Sequence, residues 1–231
     1  IYRYHHMLRQ CARYKFAEKP EAYQRENYSR LGQWYLDNEE YVPAYFAFAS
    51  AQDWNGLLKT LEKDKAKSLN TEHSQEFFRW IKSCPEEYLL RYPTAIVACM
   101  VKMFSFHNIP EIKRMKGLLL NSLEQDTTLT EQERHDLLGD AEVSESFLCY
   151  NNISAMSAHH RKACALLSRT SLSIDPKGAW TFSAPSIFMM YHRNVGGADS
   201  ENAEMQECMP YYYQVSDGHG NGAEHGFAAD L

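Results

Sequence analysis

Apolar residues recur at three- and four-residue intervals through almost the whole chain, a period that admits helices and little else. The pattern runs through Tyr23–Leu36, Val42–Ala51, Trp54–Leu61, Phe77–Ile81, Ala95–Phe106, Leu118–Leu123, Leu137–Tyr150 and Met156–Leu167. No run alternates for long enough to suggest a strand. Pro20, Pro85, Pro93 and Pro110 stand where helices should start or stop, because a proline inside a helix costs about 3 kcal/mol. Thr130-Glu131-Gln132-Glu133 has the form of a capping box. Helices of roughly 10–18 residues joined by short loops predict antiparallel hairpins. The fold class is therefore all-α.

The hairpins also show signs of repetition. Tyr28, Leu31, Gly32, Tyr35, Ala44, Phe48 and Ala51 fall at the spacing of a tetratricopeptide motif. Gly32 and Ala44 are small enough to let two helices approach, Tyr35 and Phe48 fill the space beside them, and Ala51 leaves room for the next unit. A degenerate second copy runs through Val143, Ser144, Phe147, Met156, His160 and Ala163. The copies are not separated by a whole number of repeats. The expectation is tetratricopeptide-like antiparallel hairpins stacked as an irregular right-handed solenoid, in which each hairpin needs neighbours to bury its apolar side.

The array reads as residues 19–168, with 169–231 continuing it in a different character. Arg169–Thr181 is polar and carries an Asp175-Pro176-Lys177-Gly178 turn. An aromatic and Met-rich stretch follows from Trp180 to Tyr191, with Pro185 suited to the first turn of a helix and Gly196-Gly197 to its end. A helix over roughly 201–215 then leads through the glycine-rich 217–222 into a last helix starting near Ala223.

Net charge bounds the partners. At −6, with a pI near 5.9, the chain advertises no basic face for nucleic acid. The six cysteines form no CxxC pair, and Cys84 and Cys99 fall in helical segments and read as buried thiols of a reducing compartment. The longest apolar stretch, Ala95–Met103, is interrupted by Lys102 and is too short to span a bilayer. With no signal peptide at the start, the expectation is a cytoplasmic protein without a membrane partner. The start at Ile1 and the mid-helix pattern at Phe227–Leu231 suggest a piece of a longer protein.

Few constellations carry chemistry. His5-His6 and His159-His160 are adjacent pairs whose side chains diverge by about 100° on a helix and do not chelate together. His219, Glu224 and His225 are the set a helical metal-dependent enzyme would use, but no HExxH or zinc-spaced Cys/His quartet accompanies them. Gly218-His219-Gly220-Asn221-Gly222 follows no strand and lacks a GK[ST] ending, so it reads as an interhelical turn and not a phosphate cradle. No GxSxG, activated cysteine or apolar carboxylate pair is present, and the acidic residues read as solvated. No catalysis, metal or cofactor is expected. The aromatic excess points instead to binding. Trp180, Met189, Met190, Tyr191, Tyr211, Tyr212 and Tyr213 are the candidates for a groove that takes a ligand or peptide. At least one of the three consecutive tyrosines must face away from the core.

Several stretches resemble the helical-repeat region of the large ATP-binding LuxR-type (MalT-like) bacterial transcriptional regulators. Trp34-Tyr35-Leu36-Asp37-Asn38-Glu39-Glu40-Tyr41, with Ala44, Ala47, Ala51 and Asp53-Trp54, is similar to the family's first repeat hairpin. Tyr2–Leu8 resembles the close of its winged-helix linker, so 1–18 would end that linker. Trp180–Ser186 and Asp217–His225 resemble segments of Gram-positive members. The resemblance implies a sensor or oligomerisation segment that binds a small-molecule effector or a protein partner and can self-associate. ATP and DNA would be handled by other domains, since the chain has neither a Walker A motif nor a helix-turn-helix signature. A generic tetratricopeptide-type adaptor and, less simply, a helical metal enzyme are the alternative functions.

Overall fold

The computed structural model describes residues 6–178 and 186–229, and every regular element among them is helical. The chain divides into two units, residues 1–95 and 96–231. The first holds α1 (His6–Ala17), α2 (Glu21–Asp37), α3 (Tyr41–Ala51), α4 (Trp54–Asp64), a 3-10 turn at Thr71–His73, α5 (Ser74–Ser83) and α6 (Glu86–Leu89). Helix α7 (Pro93–Ser105) opens there and lies mostly in the second. The second continues with α8 (Ile109–Gln125), α9 (Glu131–Ser146), a 3-10 turn at Phe147–Cys149, α10 (Ile153–Leu166), α11 (Ile187–Tyr191), α12 (Ala198–Ser216) and α13 (Ala223–Ala229). Each proline signal falls at a helix start: Pro20 and Pro85 precede α2 and α6, Pro93 opens α7, and Pro110 lies in the first turn of α8. The capping box at Thr130 forms as expected.

Small residues set the crossings in the first unit. A Cβ on Gly32 of α2 would lie 2.7 Å from the Phe48 ring, and one on Gly56 of α4 only 2.3 Å from it. Phe48 of α3 is thus held between two glycines and is 1% exposed, with Ala44 and Tyr45 fully buried beside it. Asp53 caps α4 by accepting from Gly56 N and also accepts the Ser29 hydroxyl of α2. At the other end of α4, buried Asp64 accepts the Tyr45 hydroxyl at 2.9 Å and the amide and hydroxyl of Ser68.

In the second unit α9 and α10 run antiparallel. Gln132 reaches the Leu166 carbonyl near one end, while Glu142 meets His159 and Ser146 meets His160 near the other. Helix α12 lies parallel to α10, because partners advance together along both: Ser154 with Glu204, Arg161 with Glu207, and Cys164 with the Tyr211 carbonyl. The turn between α12 and α13 places Asp217, Gly218, Gly220 and Gly222 at positive φ, the left-handed region where glycine carries no Cβ penalty.

The acidic residues depart from the solvated placement the sequence suggests. Asp64, Asp136, Asp140 and Glu201 are all buried. Each is kept there by the donors gathered around it, which replace the water it loses.

Gly117, in contrast, sits on a face of α8 where an added methyl would meet no atom within 4 Å. Gly117→Ala is expected to stabilise the chain by about 0.5–1 kcal/mol through helix propensity alone, read as a higher urea midpoint at unchanged slope.

Candidate functional site

The centre of the second unit is an aromatic and methionine cluster around a small cavity. Helix α10 offers Ile153, Met156, Ser157 and His160, and α12 offers Met205, Cys208, Met209 and Tyr212. Both sets have i, i+3, i+4, i+7 spacing, so each lies on one face of its helix. Phe147 and Tyr191 close the sides. The space is about 30 Å3, room for one or two waters.

Its wall is apolar apart from two groups. The Ser157 hydroxyl is buried and has no hydrogen-bond partner among the described residues. An unsatisfied buried hydroxyl costs about 1–3 kcal/mol unless a water or a guest in the cavity bonds to it. His160 is 4% exposed and lies tilted against the Tyr212 ring, with centroids 5.2 Å apart. The Ser146 hydroxyl donates to the Val143 carbonyl, so His160 Nε2–H donates to Ser146 Oγ at 3.0 Å. Burial, with a smaller contribution from neighbouring His159, pushes the His160 pKa down to about 4.

A second chamber of about 150 Å3 adjoins the first, and Phe147 and Tyr212 line both. Phe104 stacks on Phe147 there with centroids 5.2 Å apart, and Ile174, Ser173 and His219 complete much of the wall. The Gly178 carbonyl only accepts, so His219 Nε2–H donates to it at 2.9 Å, and His219 Nδ1 accepts the Tyr212 hydroxyl at 2.6 Å. Tyr212 is thereby fixed in a wall that both chambers share.

The seven candidate residues are placed unequally. Tyr191 and Tyr212 line the inner cavity, and Met190 is buried in the same core. Met189 is 67% exposed. Tyr211 lies partly exposed beneath the Arg161 guanidinium, 4.1 Å from its ring centre. Tyr213 turns to the α13 side, where its hydroxyl bonds Glu224 and accepts from Gly222 and Ala223 amides. Trp180 and Pro185 lie outside the described residues, as do residues 2–5 of the linker-like start. Ser157, Met205 and Met209 carry no motif, and Met156 enters only as a member of the degenerate repeat. The available signal was the i, i+4 repetition of methionine on α12 and the place of His160 at the Phe48 position of the degenerate repeat.

Glu201 and Glu204 hold this cluster together from α12. Burial pushes the Glu201 carboxyl up, but hydrogen bonds from His192 and from the Arg193 and Asn194 amides outweigh it and keep it below the usual carboxylate range. Glu204 accepts from the Ser154 amide in the first turn of α10 and pairs with Arg193.

His219, Glu224 and His225 do not form a common site. The first bonds Tyr212 and Gly178, the second takes the Tyr213 hydroxyl, and the third is largely exposed. Among the described residues, Glu142, Glu145 and His159 do bring ligand atoms within 4.8 Å of one another. Lys116 pairs with Glu145, and Lys162 lies 3.6 Å from Glu142, so cations of the chain already occupy those carboxylates. The first unit has its own candidate surface. An open groove of about 600 Å3 is lined by Phe46, Gln52, Trp54, Glu76, Arg79 and Trp80.

No described helix is long and apolar enough to cross a membrane. Comparison of the chain with protein-family models, with curated proteins and with solved structures returns no match.

His160 gives the site a pH signature. A buried histidine with its folded pKa depressed takes no proton where the unfolded chain does, so stability is lost as pH falls from about 6.5 toward 4. The loss attributable to this group is of order 3 kcal/mol, complete near its folded pKa of about 4. Denaturation midpoints between pH 7 and 5 should fall for the wild type and much less for His160→Gln. Equal slopes in the two proteins would remove His160 as the cause.

Proposed function

We propose that the chain is the effector-sensing helical segment of a LuxR-type transcriptional regulator of the large ATP-binding, MalT-like class, and that the effector is a small molecule held in the second unit. The observation that carries the proposal is the cavity between α10 and α12, apolar on nearly every side with the unpartnered Ser157 hydroxyl inside it. The cavity alone takes water, but with the adjoining chamber of about 150 Å3 it offers room for a small guest and not for a protein surface. The family assignment rests on the sequence resemblance at Trp34–Tyr41, Asp53-Trp54 and Asp217–His225. In this reading the chain is cytoplasmic, performs no catalysis and needs no cofactor of its own. It stacks its hairpins as an irregular solenoid and can self-associate. ATP and DNA are engaged through other domains of the regulator. A guest touching both α10 and α12 would favour one packing of those helices, which is how binding would bias the whole protein.

Thermal denaturation of the chain against a panel of small metabolites tests this. A ligand at a hundredfold its Kd adds about 2.7 kcal/mol, enough to raise the midpoint by several degrees. A panel spanning sugars, nucleosides, amino acids and small aromatics that moves the midpoint nowhere would end the sensor reading. A second reading, a tetratricopeptide-type adaptor, draws on the open groove at Phe46, Trp54 and Trp80. It expects peptide binding that Trp54→Ala weakens, with no small-molecule response.

A further inference from the structure

The two chambers differ in size and chemistry in a complementary way. The outer, about 150 Å3, has the volume of an engineered cavity that takes benzene, and its walls include the Phe104, Phe147 and Tyr212 rings. The inner, about 30 Å3, has room for a hydroxyl group or for one or two waters, and contains the one buried hydroxyl that lacks a partner among the described residues. Phe147 and Tyr212 belong to both walls, so the two spaces meet at those two side chains. No lysine or arginine stands among the described lining residues of either chamber, and Asp175 stands in the outer one. An anion would find no counter-charge there, and burying it unpaired is costly. Met156, Met205 and Met209 surround the inner space and can re-pack around a guest at small cost.

We infer that the two chambers form one site for an uncharged single-ring aromatic bearing a hydroxyl, its ring among Phe104, Phe147 and Tyr212 and its hydroxyl at Ser157. The inference rests on the effector-site reading above and narrows it to a ligand class. Ser157 Oγ both donates and accepts, so a phenolic or benzylic hydroxyl satisfies it and is satisfied by it.

The test is a titration of the full chain with phenol, toluene and benzoate, in the wild type and in Ser157→Ala. Removing an unpartnered hydroxyl leaves the fold intact, so the variant is a fair comparison. Phenol and toluene are expected to bind saturably, and benzoate to fail. One hydrogen bond of ordinary strength corresponds to about a fivefold change in affinity, so Ser157→Ala should lower phenol binding relative to toluene by about fivefold. Methyl-labelled methionine NMR locates the site: Met156, Met205 and Met209 should shift on phenol addition, while exposed Met7 and Met189 should not. Benzoate binding as well as phenol, an unchanged phenol-to-toluene ratio in the variant, or shifts confined to other methionines would each overturn the inference. If phenol and toluene fail while another compound of the metabolite panel binds, the ligand class falls and the sensor reading stands. If nothing binds at all, both fall.

Discussion

Phe48→Ala should cost the first unit about 4 kcal/mol, among the largest effects of any single substitution in the chain. The ring is 1% exposed and lies between α2 and α4, with Gly32 on one side and Gly56 on the other. Both glycines are there because the ring is, so truncating it leaves a cavity bounded by two backbones that have no side chains to relax inward. Urea denaturation followed by tryptophan fluorescence is the direct measurement, since Trp34, Trp54 and Trp80 all belong to this unit. A loss below about 1 kcal/mol would mean that the ring does not fix the crossing.

The same geometry makes the sign of a second substitution depend on the first. In the wild type, Gly32→Ala forces a methyl to 2.7 Å from a buried ring, and overpacking of that kind costs about 1–3 kcal/mol. In the Phe48→Ala background the ring is gone, the methyl fills part of the hole, and the helix propensity of alanine is recovered. Gly32→Ala should therefore change from destabilising to stabilising, a reversal that additive effects do not produce.

That hairpin is legible in the sequence because its determinants are local. Gly32, Ala44, Phe48 and Ala51 lie within one helical pair, and small and large residues at those intervals have few other uses. The proline stops and the Thr130 cap are legible for the same reason. The second unit yields less, and α9 shows why. Its Asp136 and Asp140 have the look of a polar face, yet they point inward and are buried. A carboxylate at a core position resembles solvent-facing charge until its donors are known, and here they come from residues about thirty positions later. The cavity is out of reach on the same ground. The aromatic excess brings Tyr191 and Tyr212 together, but Ser157, Met156 and Phe147 join them only through the antiparallel α9–α10 pair and the parallel docking of α12. Nothing in the run Ser154–Ala158 distinguishes the serine that lacks a partner from the one that has one.

Asp140 is the residue on which the site wall most depends, and Asp140→Ala should cost about 3 kcal/mol. Its fully buried carboxylate accepts from the Ser171 hydroxyl at 2.8 Å, from the Leu172 amide at 2.7 Å and from Arg169 Nη2 at 2.8 Å. Asp136, one turn earlier, adds the Ser168 amide and hydroxyl, so the two aspartates together tie the segment leaving α10 back onto α9. Alanine at 140 strands the Leu172 amide and the buried Ser171 hydroxyl, although partly exposed Arg169 can return to water. Arg169→Ala is the milder change, because two donors still satisfy the carboxylate, and a double-mutant cycle should show positive coupling between the two. The functional consequence follows from Ser173 and Ile174, which continue directly from the Ser171 and Leu172 anchors and both line the outer chamber. Loosening this segment removes a wall of the chamber without touching Ser157. Asp140→Ala should therefore weaken phenol and toluene alike and leave their ratio unchanged, whereas Ser157→Ala changes the ratio and leaves toluene binding in place. An aromatic guest bound as tightly in Asp140→Ala as in the wild type would place the ring somewhere other than the chamber that Ser173 and Ile174 enclose.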